Sequence, residues 1–268
     1  MNVDKKNSEF WKELCGTNMY KQLGLKEIDE NSLKFFDEEY FKMYPYLKTK
    51  YLNQINNEDE VLEIGLGFGT LGNYLFDKCK RYTGIDISEG PVLMMKKRIE
   101  YLSKSLTCIS TLGNGTNLDF QDNSFDFVVS CGVLHHTGKL KESINEVYRV
   151  LKPNGKFLMM IYRKPTILMR IVLIMKILKN KPKKLIEYGF SIDKLFKFSY
   201  DHNQNDESTP YTDFTSIMEI KSLLEKFNSS EITIENHTLS RFRNKGRLSN
   251  NKLFLKLFGC DLYSISVK

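Results

Sequence analysis

The chain has 268 residues, 41% of them hydrophobic, and a net charge of +7, which is enough apolar material for one large domain with a buried sheet. Five cysteines (Cys15, Cys79, Cys108, Cys131 and Cys260) are scattered, odd in number and without a C-x-x-C pair, which argues against a disulfide framework or a zinc knuckle, predicts no metal site and suits a reducing cytosol. The opening MNVDKKNSEF lacks the apolar core of a signal peptide and no apolar run reaches the ~20 residues of a membrane span, so a soluble, cytoplasmic protein is expected.

Residues 1–50 read as an amphipathic helical cap, with Phe10, Trp11 and Leu14, then Phe35, Phe36, Tyr40, Phe41 and Tyr44 at helical spacing before Pro45. Residues 51–163 change character. The strand-like runs VLEI, RYTGIDI, LTCIS, FDFVVSCGVL and GKFLMMIY alternate with the helical LGNYLFDKC, PVLMMKKRIEYL and LKESINEVYRVL. Strict alternation predicts parallel βαβ units with helices on both faces, a doubly wound α/β fold. Residues 164–213 interrupt it as an insertion expected to overhang the carboxyl ends of the strands. It opens with PTILMRIVLIMKIL, apolar on nearly all faces and expected as a buried helix; with KNKPKK behind it, peripheral contact of 165–184 with a membrane or a greasy acceptor is a second reading. Residues 214–268 supply a closing helix, SIMEIKSLLEKF, and two strands, EITIENHTL and LYSISVK.

Charge is uneven along the chain: residues 1–150 hold 19 Lys+Arg against 22 Asp+Glu and residues 151–268 hold 21 against 11, giving −3 and +10. A lysine-rich solvated face accounts for this more simply than nucleic acid, because no aromatic residues alternate with the lysines as a base-stacking platform requires. RFRNKGR, Arg241 to Arg247, keeps an RNA-directed reading as a rival.

The turn VLEIGLGFGTLG, Val61 to Gly72, contains G-x-G-x-x-G from Gly67 and E-x-G-x-G-x-G from Glu63. The first parse suits a dinucleotide. In the second, a carboxylate beside the first glycine disfavours a pyrophosphate and suits a cofactor with a cationic amino-acid end. Asp86, seventeen residues beyond Gly69 at the end of the next strand, suits a ribose diol in either parse.

VLEIGLGFG, YTGIDIS, LGNGTNLDFQDNSFDFVVSCGVLHHT and EVYRVLKPNGKFLM, in this order, resemble the successive motifs of class I S-adenosylmethionine-dependent methyltransferases, nearest to the group that includes quinone C-methyltransferases and small-molecule O-methyltransferases. The resemblance covers roughly Glu60 to Tyr162. It implies a Rossmann-like, mostly parallel sheet with a C-terminal antiparallel strand and S-adenosyl-L-methionine as cofactor. Gly65, Gly67 and Gly69 would lie along its methionine part with Glu63 near the amino end, Asp86 would hold the ribose, and Ile87 would pack on the adenine. Asn114 and Gly115 would lie at the adenine edge, where the family usually has an acid before a small residue; the Asn114 side-chain carbonyl would replace the acid as a neutral acceptor. Cys131 and Gly132 would pass the cofactor with their backbone. WKELCGTNMY resembles the lead-in of some of these enzymes, where a helix closes over the sulfonium, which would make Trp11, Cys15, Gly16 and Thr17 lid residues; a simple packing anchor is the other reading.

The expected reaction is methyl transfer to a small-molecule acceptor, at oxygen first, with carbon of a quinone or lipid-like acceptor next; a cofactor-binding subunit without turnover is a third possibility. His136 and His135, after the fourth strand, are the candidate bases, the alternative being that one caps the following helix and the other packs. Tyr162, Arg163, His202 and Tyr211 border the expected acceptor cleft. CGVLHHT lacks the Asn/Asp-Pro-Pro-aromatic turn of many amine methyltransferases, and Cys131 lacks the adjacent proline of a covalent cytosine enzyme.

Overall fold

The computed structural model describes residues 3–12, 23–24, 29–201, 207–237 and 251–268. In chain order the elements are α1 (Val3–Trp11), α2 (Glu30–Met43), β1 (Glu60–Ile64), α3 (Thr70–Leu75), β2 (Arg81–Asp86), α4 (Glu89–Tyr101), β3 (Cys108–Leu112), β4 (Phe125–Cys131), α5 (Leu140–Val150) and β5 (Leu151–Tyr162). After these come α6 (Ile167–Asn180), α7 (Lys183–Glu187), α8 (Ile192–Tyr200), α9 (Ile217–Leu223), β6 (Ser229–His237), α10 (Lys252–Phe258) and β7 (Gly259–Val267). One seven-stranded sheet runs in the order β3-β2-β1-β4-β5-β7-β6. β1 to β5 pair in parallel, and β7 lies antiparallel between β5 and β6, with Tyr162 opposite Asp261.

The sheet is covered on both faces, which is why β1, after its first residue Glu60, is buried throughout, Val61, Leu62 and Ile64 flanking the one enclosed acid Glu63 instead of alternating with exposed residues. Across one face lie α3, α4, α6 and α8, through Leu71, Leu75, Met95, Leu173 and Phe196 among others; across the other lie α5 and α9, through Ile144, Val147 and Ile220. In α5 the buried positions Leu140, Ser143, Ile144, Val147 and Val150 recur at three and four residues, one face of a helix. The order in which strands are added reverses between β1 and β4, so the carboxyl ends of β1 and β4 flank the crevice at the switch point, the usual ligand position in such sheets.

Two expectations change. α6 is not buried on all sides: only Met169, Leu173 and Ile177 are covered, because α8 and α10 pack on one face and leave the other to solvent. α10, KLFLKLF, is a helix that the strand-and-helix pattern had not marked out. Among the described residues no helix is long and apolar enough to cross a membrane.

Candidate active site

The glycine turn follows β1 directly. Gly65, Gly67 and Gly69 have φ of 85°, 51° and 76°, a region that costs a side-chain-bearing residue energy, and a Cβ on Gly65 would lie 2.1 Å from the Val133 side chain. The turn is fastened from beneath by Arg98 of α4, whose Nε donates to the Phe68 carbonyl (2.7 Å) while its two terminal nitrogens grip Asp37 of α2 at 2.8 and 2.9 Å. Asp37 also accepts from Thr70 and Asn73 in α3. This buried, bidentate pair joins the N-terminal cap to the turn, and sequence reasoning missed it.

Glu63 is fully enclosed and accepts a 2.5 Å hydrogen bond from the Tyr82 hydroxyl. Burial, with added repulsion from Asp86, raises its pKa to about 8. The acid near the turn is therefore largely protonated at neutral pH in this structure. Asp86, at the end of β2, accepts from the amides of Leu66 (2.8 Å) and Ser88 (2.9 Å), and burial raises it to about 6 against those bonds. Ile87 beside it is half-buried.

After β3, the Asn114 carbonyl oxygen accepts from both the amide and the hydroxyl of Thr116, each at 2.9 Å. Both lone pairs expected for an adenine amino group are engaged in this conformation, a correction to the neutral-acceptor reading. The Asn114 amide group instead donates to Asp4 of α1 at 3.1 Å. Gly115 is half-buried, and a Cβ there would lie 3.0 Å from Ile64. After β4, Gly132 has φ of 80° and donates its amide to Met160 of β5. Burial holds the Cys131 thiol far above its usual range, so it stays protonated and is a poor nucleophile.

The two histidines form a short 3-10 turn, Leu134–His136, and both are buried. Neither caps α5, whose N-cap position is Lys139 with no side-chain cap; the Thr137 hydroxyl accepts from the Lys139 amide just before the helix. His135 packs against Tyr162 and His136, with ring centroids 4.2 and 4.1 Å apart, and its carbonyl accepts from the Asp213 amide. His136 is held through one ring nitrogen. Its Nδ1 lies 2.9 Å from the Tyr211 carbonyl, an acceptor only, which assigns the ring proton to Nδ1 and leaves Nε2 a bare lone pair. The Thr212 hydroxyl, 3.2 Å from Nδ1, donates to the same carbonyl and so leaves that assignment intact. Nε2 is buried without a hydrogen-bond partner, 3.7 Å from Asp201 Oδ2, which is likewise buried and unbonded. Burial lowers the His136 pKa, while Asp201 opposes the shift.

α1 lies over this crevice. Asn7 donates to the His136 carbonyl (2.7 Å), Ser88 donates to the Ser8 carbonyl (2.8 Å), and the Trp11 ring sits 5.0 Å from that of His136. On the opposite side Tyr200 and Phe214 pack on Tyr162, at 4.5 and 6.2 Å between centroids. The structure thus brings together His136, His135, Tyr162 and the Tyr211 carbonyl, and adds Asp201, which sequence reasoning did not single out. Arg163 is elsewhere: its guanidinium donates to the carbonyls of Leu255, Lys256 and Gly259 and caps the carboxyl end of α10, where a cation meets unpaired carbonyls and the negative end of the helix dipole. Its guanidinium, expected to border the acceptor cleft, is instead engaged with these carbonyls. His202, Cys15, Gly16, Thr17 and the cluster 241–247 lie outside the described residues.

Residues 62–159 match the family model described as a methyltransferase domain. The chain is 31% identical over 112 residues to the demethylmenaquinone methyltransferase of Symbiobacterium thermophilum, a match covering 40% of this chain and 44% of that protein. It is 29% identical over 131 residues to the ubiquinone/menaquinone biosynthesis C-methyltransferase of Rickettsia bellii, covering 46% and 53%. It thus spans about half the length of these curated relatives. A crystal structure from Thermotoga maritima, titled as a S-adenosylmethionine-dependent methyltransferase and possible histamine N-methyltransferase, superimposes with a TM-score of 0.52 at 19% identity over 86% of this chain and 94% of that one, a likeness of fold. Motif order, strand order and family match agree: residues 62–159 belong to the class I S-adenosylmethionine-dependent methyltransferases.

Proposed function

We propose that this chain transfers a methyl group from S-adenosylmethionine to a small, hydroxyl-bearing acceptor, with His136 as the base. The observation that carries the reading is the bare, buried Nε2 of His136, 3.7 Å from an equally unbonded Asp201 Oδ2, with the rings of Trp11, His135 and Tyr162 packed around the imidazole. Buried polar atoms without partners are rare in folded proteins, and two together mark a place for a ligand's polar hydrogen.

The residues fit the cofactor. The turn leaves no space for a Cβ at Gly65, Asp86 sits where a diol would be held, and Glu63 is an acid that ionises when a cationic amino group comes near. The bound sulfonium supplies an already activated methyl group, so the protein's tasks are alignment, exclusion of water and removal of one proton. His136 Nε2 would take the acceptor's hydroxyl proton, leaving the oxygen free to receive the methyl group. The resulting imidazolium keeps Nδ1–H on the Tyr211 carbonyl and points its new Nε2–H at Asp201. α1 and the rings of Trp11, Tyr162 and Tyr200 keep solvent out of the chamber.

A second reading uses the same proton transfer. Deprotonating a phenolic hydroxyl makes a ring carbon nucleophilic, and of the two relatives named above one is a demethylmenaquinone methyltransferase and the other a C-methyltransferase of ubiquinone/menaquinone biosynthesis by name. Nucleic acid is not expected as a partner. Calorimetry with S-adenosylhomocysteine tests the cofactor, and mass analysis of products from a panel of phenols and hydroquinones separates O- from C-methylation. If S-adenosylhomocysteine gives no heat while NADH binds, the reading fails.

A further inference from the structure

The exposed side of α6 points to an anionic lipid surface. Successive helix positions turn by about 100°, so the buried Met169, Leu173 and Ile177 form one stripe and Ile167, Ile171, Met175 and Leu178 form another directly opposite. The second stripe is unsheltered, at 78%, 48%, 64% and 56% exposure. At the start of α6 the Thr166 hydroxyl donates to the Leu257 carbonyl of α10, a helix that itself leaves Leu253 and Leu257 exposed. A soluble monomer rarely leaves so many large aliphatic side chains together in water.

Charge decides the occupant. Between residues 165 and 190 the chain carries Arg170, Lys176, Lys179, Lys181, Lys183 and Lys184 against Glu187 alone, a net of +5. Lys179, Lys181 and Lys183 are exposed and gather where α6 ends and α7 begins. An aliphatic face with cations at one end suits the boundary between acyl chains and anionic headgroups, where lysine stems lie along the apolar layer and their ammonium groups reach phosphate. Nucleic acid is a poor fit, because isoleucine, leucine and methionine offer bases no ring to stack on.

We propose that this face, centred on Ile171 and Met175 with Lys179, Lys181 and Lys183 at its end, docks the protein on membranes rich in anionic lipid. Such docking does not depend on the proposed methyl transfer. It would nonetheless sit close to that chemistry, since α6 packs on α8, the helix that delivers Tyr200 and Asp201 to the chamber.

Sedimentation with phosphatidylcholine vesicles, with and without phosphatidylglycerol, tests the proposal on the full chain. Partitioning onto the anionic vesicles only, falling as salt rises, is expected. Each lysine near such a surface contributes roughly fivefold, so the triple variant Lys179→Gln, Lys181→Gln, Lys183→Gln should lose about a hundredfold in partitioning. Ile171→Ser with Met175→Ser should lose at least about tenfold. These positions are exposed, and unchanged calorimetry with S-adenosylhomocysteine shows that each variant is folded, so failure here is separable from failure of the cofactor reading. No binding to anionic vesicles at low salt, or equal binding by the lysine variant, overturns the proposal. So does self-association by light scattering that the Ile171, Met175 variant abolishes in a protein that ignores vesicles.

Discussion

Replacing Glu63 by glutamine probes the acid beneath the glycine turn. In the unfolded chain this carboxyl titrates near 4.5; in the fold burial raises it to about 8. Below pH 4.5 both states hold the proton and the contribution to stability is complete. Above it the unfolded state releases a proton that the folded state keeps, so stability falls by about 1.4 kcal/mol per pH unit until pH 8. Across that window the loss is on the order of 5 kcal/mol. In Glu63→Gln the amide oxygen still accepts from the Tyr82 hydroxyl, and the side chain has no proton to lose. Urea unfolding of both proteins at intervals between pH 4.5 and 8 should show wild type losing ground to the variant by that amount, while the shifted Asp86 titrates in both. A difference that stays flat within about 1 kcal/mol refutes the assignment. The same acid gives a functional readout: S-adenosylhomocysteine, with its ammonium group, should release protons on binding below pH 8, seen as heats that vary with the buffer's ionisation enthalpy in wild type and not in the variant.

The Arg98–Asp37 pair should behave as a buried ion pair, with Arg98→Ala or Asp37→Ala each costing about 3–5 kcal/mol in chemical denaturation, because the partner is left charged and buried; a cost below about 1 kcal/mol would show that water reaches the site. His136→Ala should keep S-adenosylhomocysteine affinity within about threefold while turnover falls by about 100-fold or more, the usual worth of a general base. Because burial lowers the His136 pKa, the acidic limb of kcat/KM should lie below pH 6.5, and Asp201→Asn, which removes the opposing carboxylate, should push it lower still. A limb above 6.5, or one that Asp201→Asn raises, contradicts the proposed pairing.

What the sequence made legible is what short-range pattern encodes. The strands of the core, α3, α4, α5 and the glycine turn are contiguous runs whose period and punctuation reveal burial on both faces of a sheet. The shared position of Gly65, Asp86 and His136 then follows from parallel topology, since each sits at or just past the carboxyl end of its strand. Pairings between distant segments were not legible. Arg98 lies within MMKKRIEYL and looks like one more solvated helix cation, although its spacing from Pro91, Met94 and Met95 already placed it on the buried face of α4. Its partner is 61 positions away in the cap. Arg163 was misread for the same reason: its carbonyl partners lie 92 to 96 residues downstream, in and just after α10, an element the alternation of strand and helix never announced. Asp201 has no motif around it, and only the fold brings it to His136.

The position of α1 raises the question of how a ligand enters, since Asn7, Ser8 and Trp11 are all engaged across the crevice. Gly90 offers a way to loosen α1 without touching the chamber. It lies in the first turn of α4, and a Cβ there would come 2.3 Å from the backbone carbonyl of Lys12, just beyond α1. Alanine suits a helix better than glycine by up to about 1 kcal/mol, so Gly90→Ala should leave the core at least as stable while pushing α1 away. Trp11 is the only tryptophan, so its emission reports its packing on His136 directly. If α1 is the gate, the variant should shift that emission to the red and release S-adenosylhomocysteine faster in stopped flow, by roughly tenfold for each 1.4 kcal/mol by which the closed position of α1 is weakened. An emission shift with an unchanged release rate would show that α1 moves without gating the crevice. An unchanged spectrum would mean that α4 gives way first, leaving α1 as a fixed wall of the site.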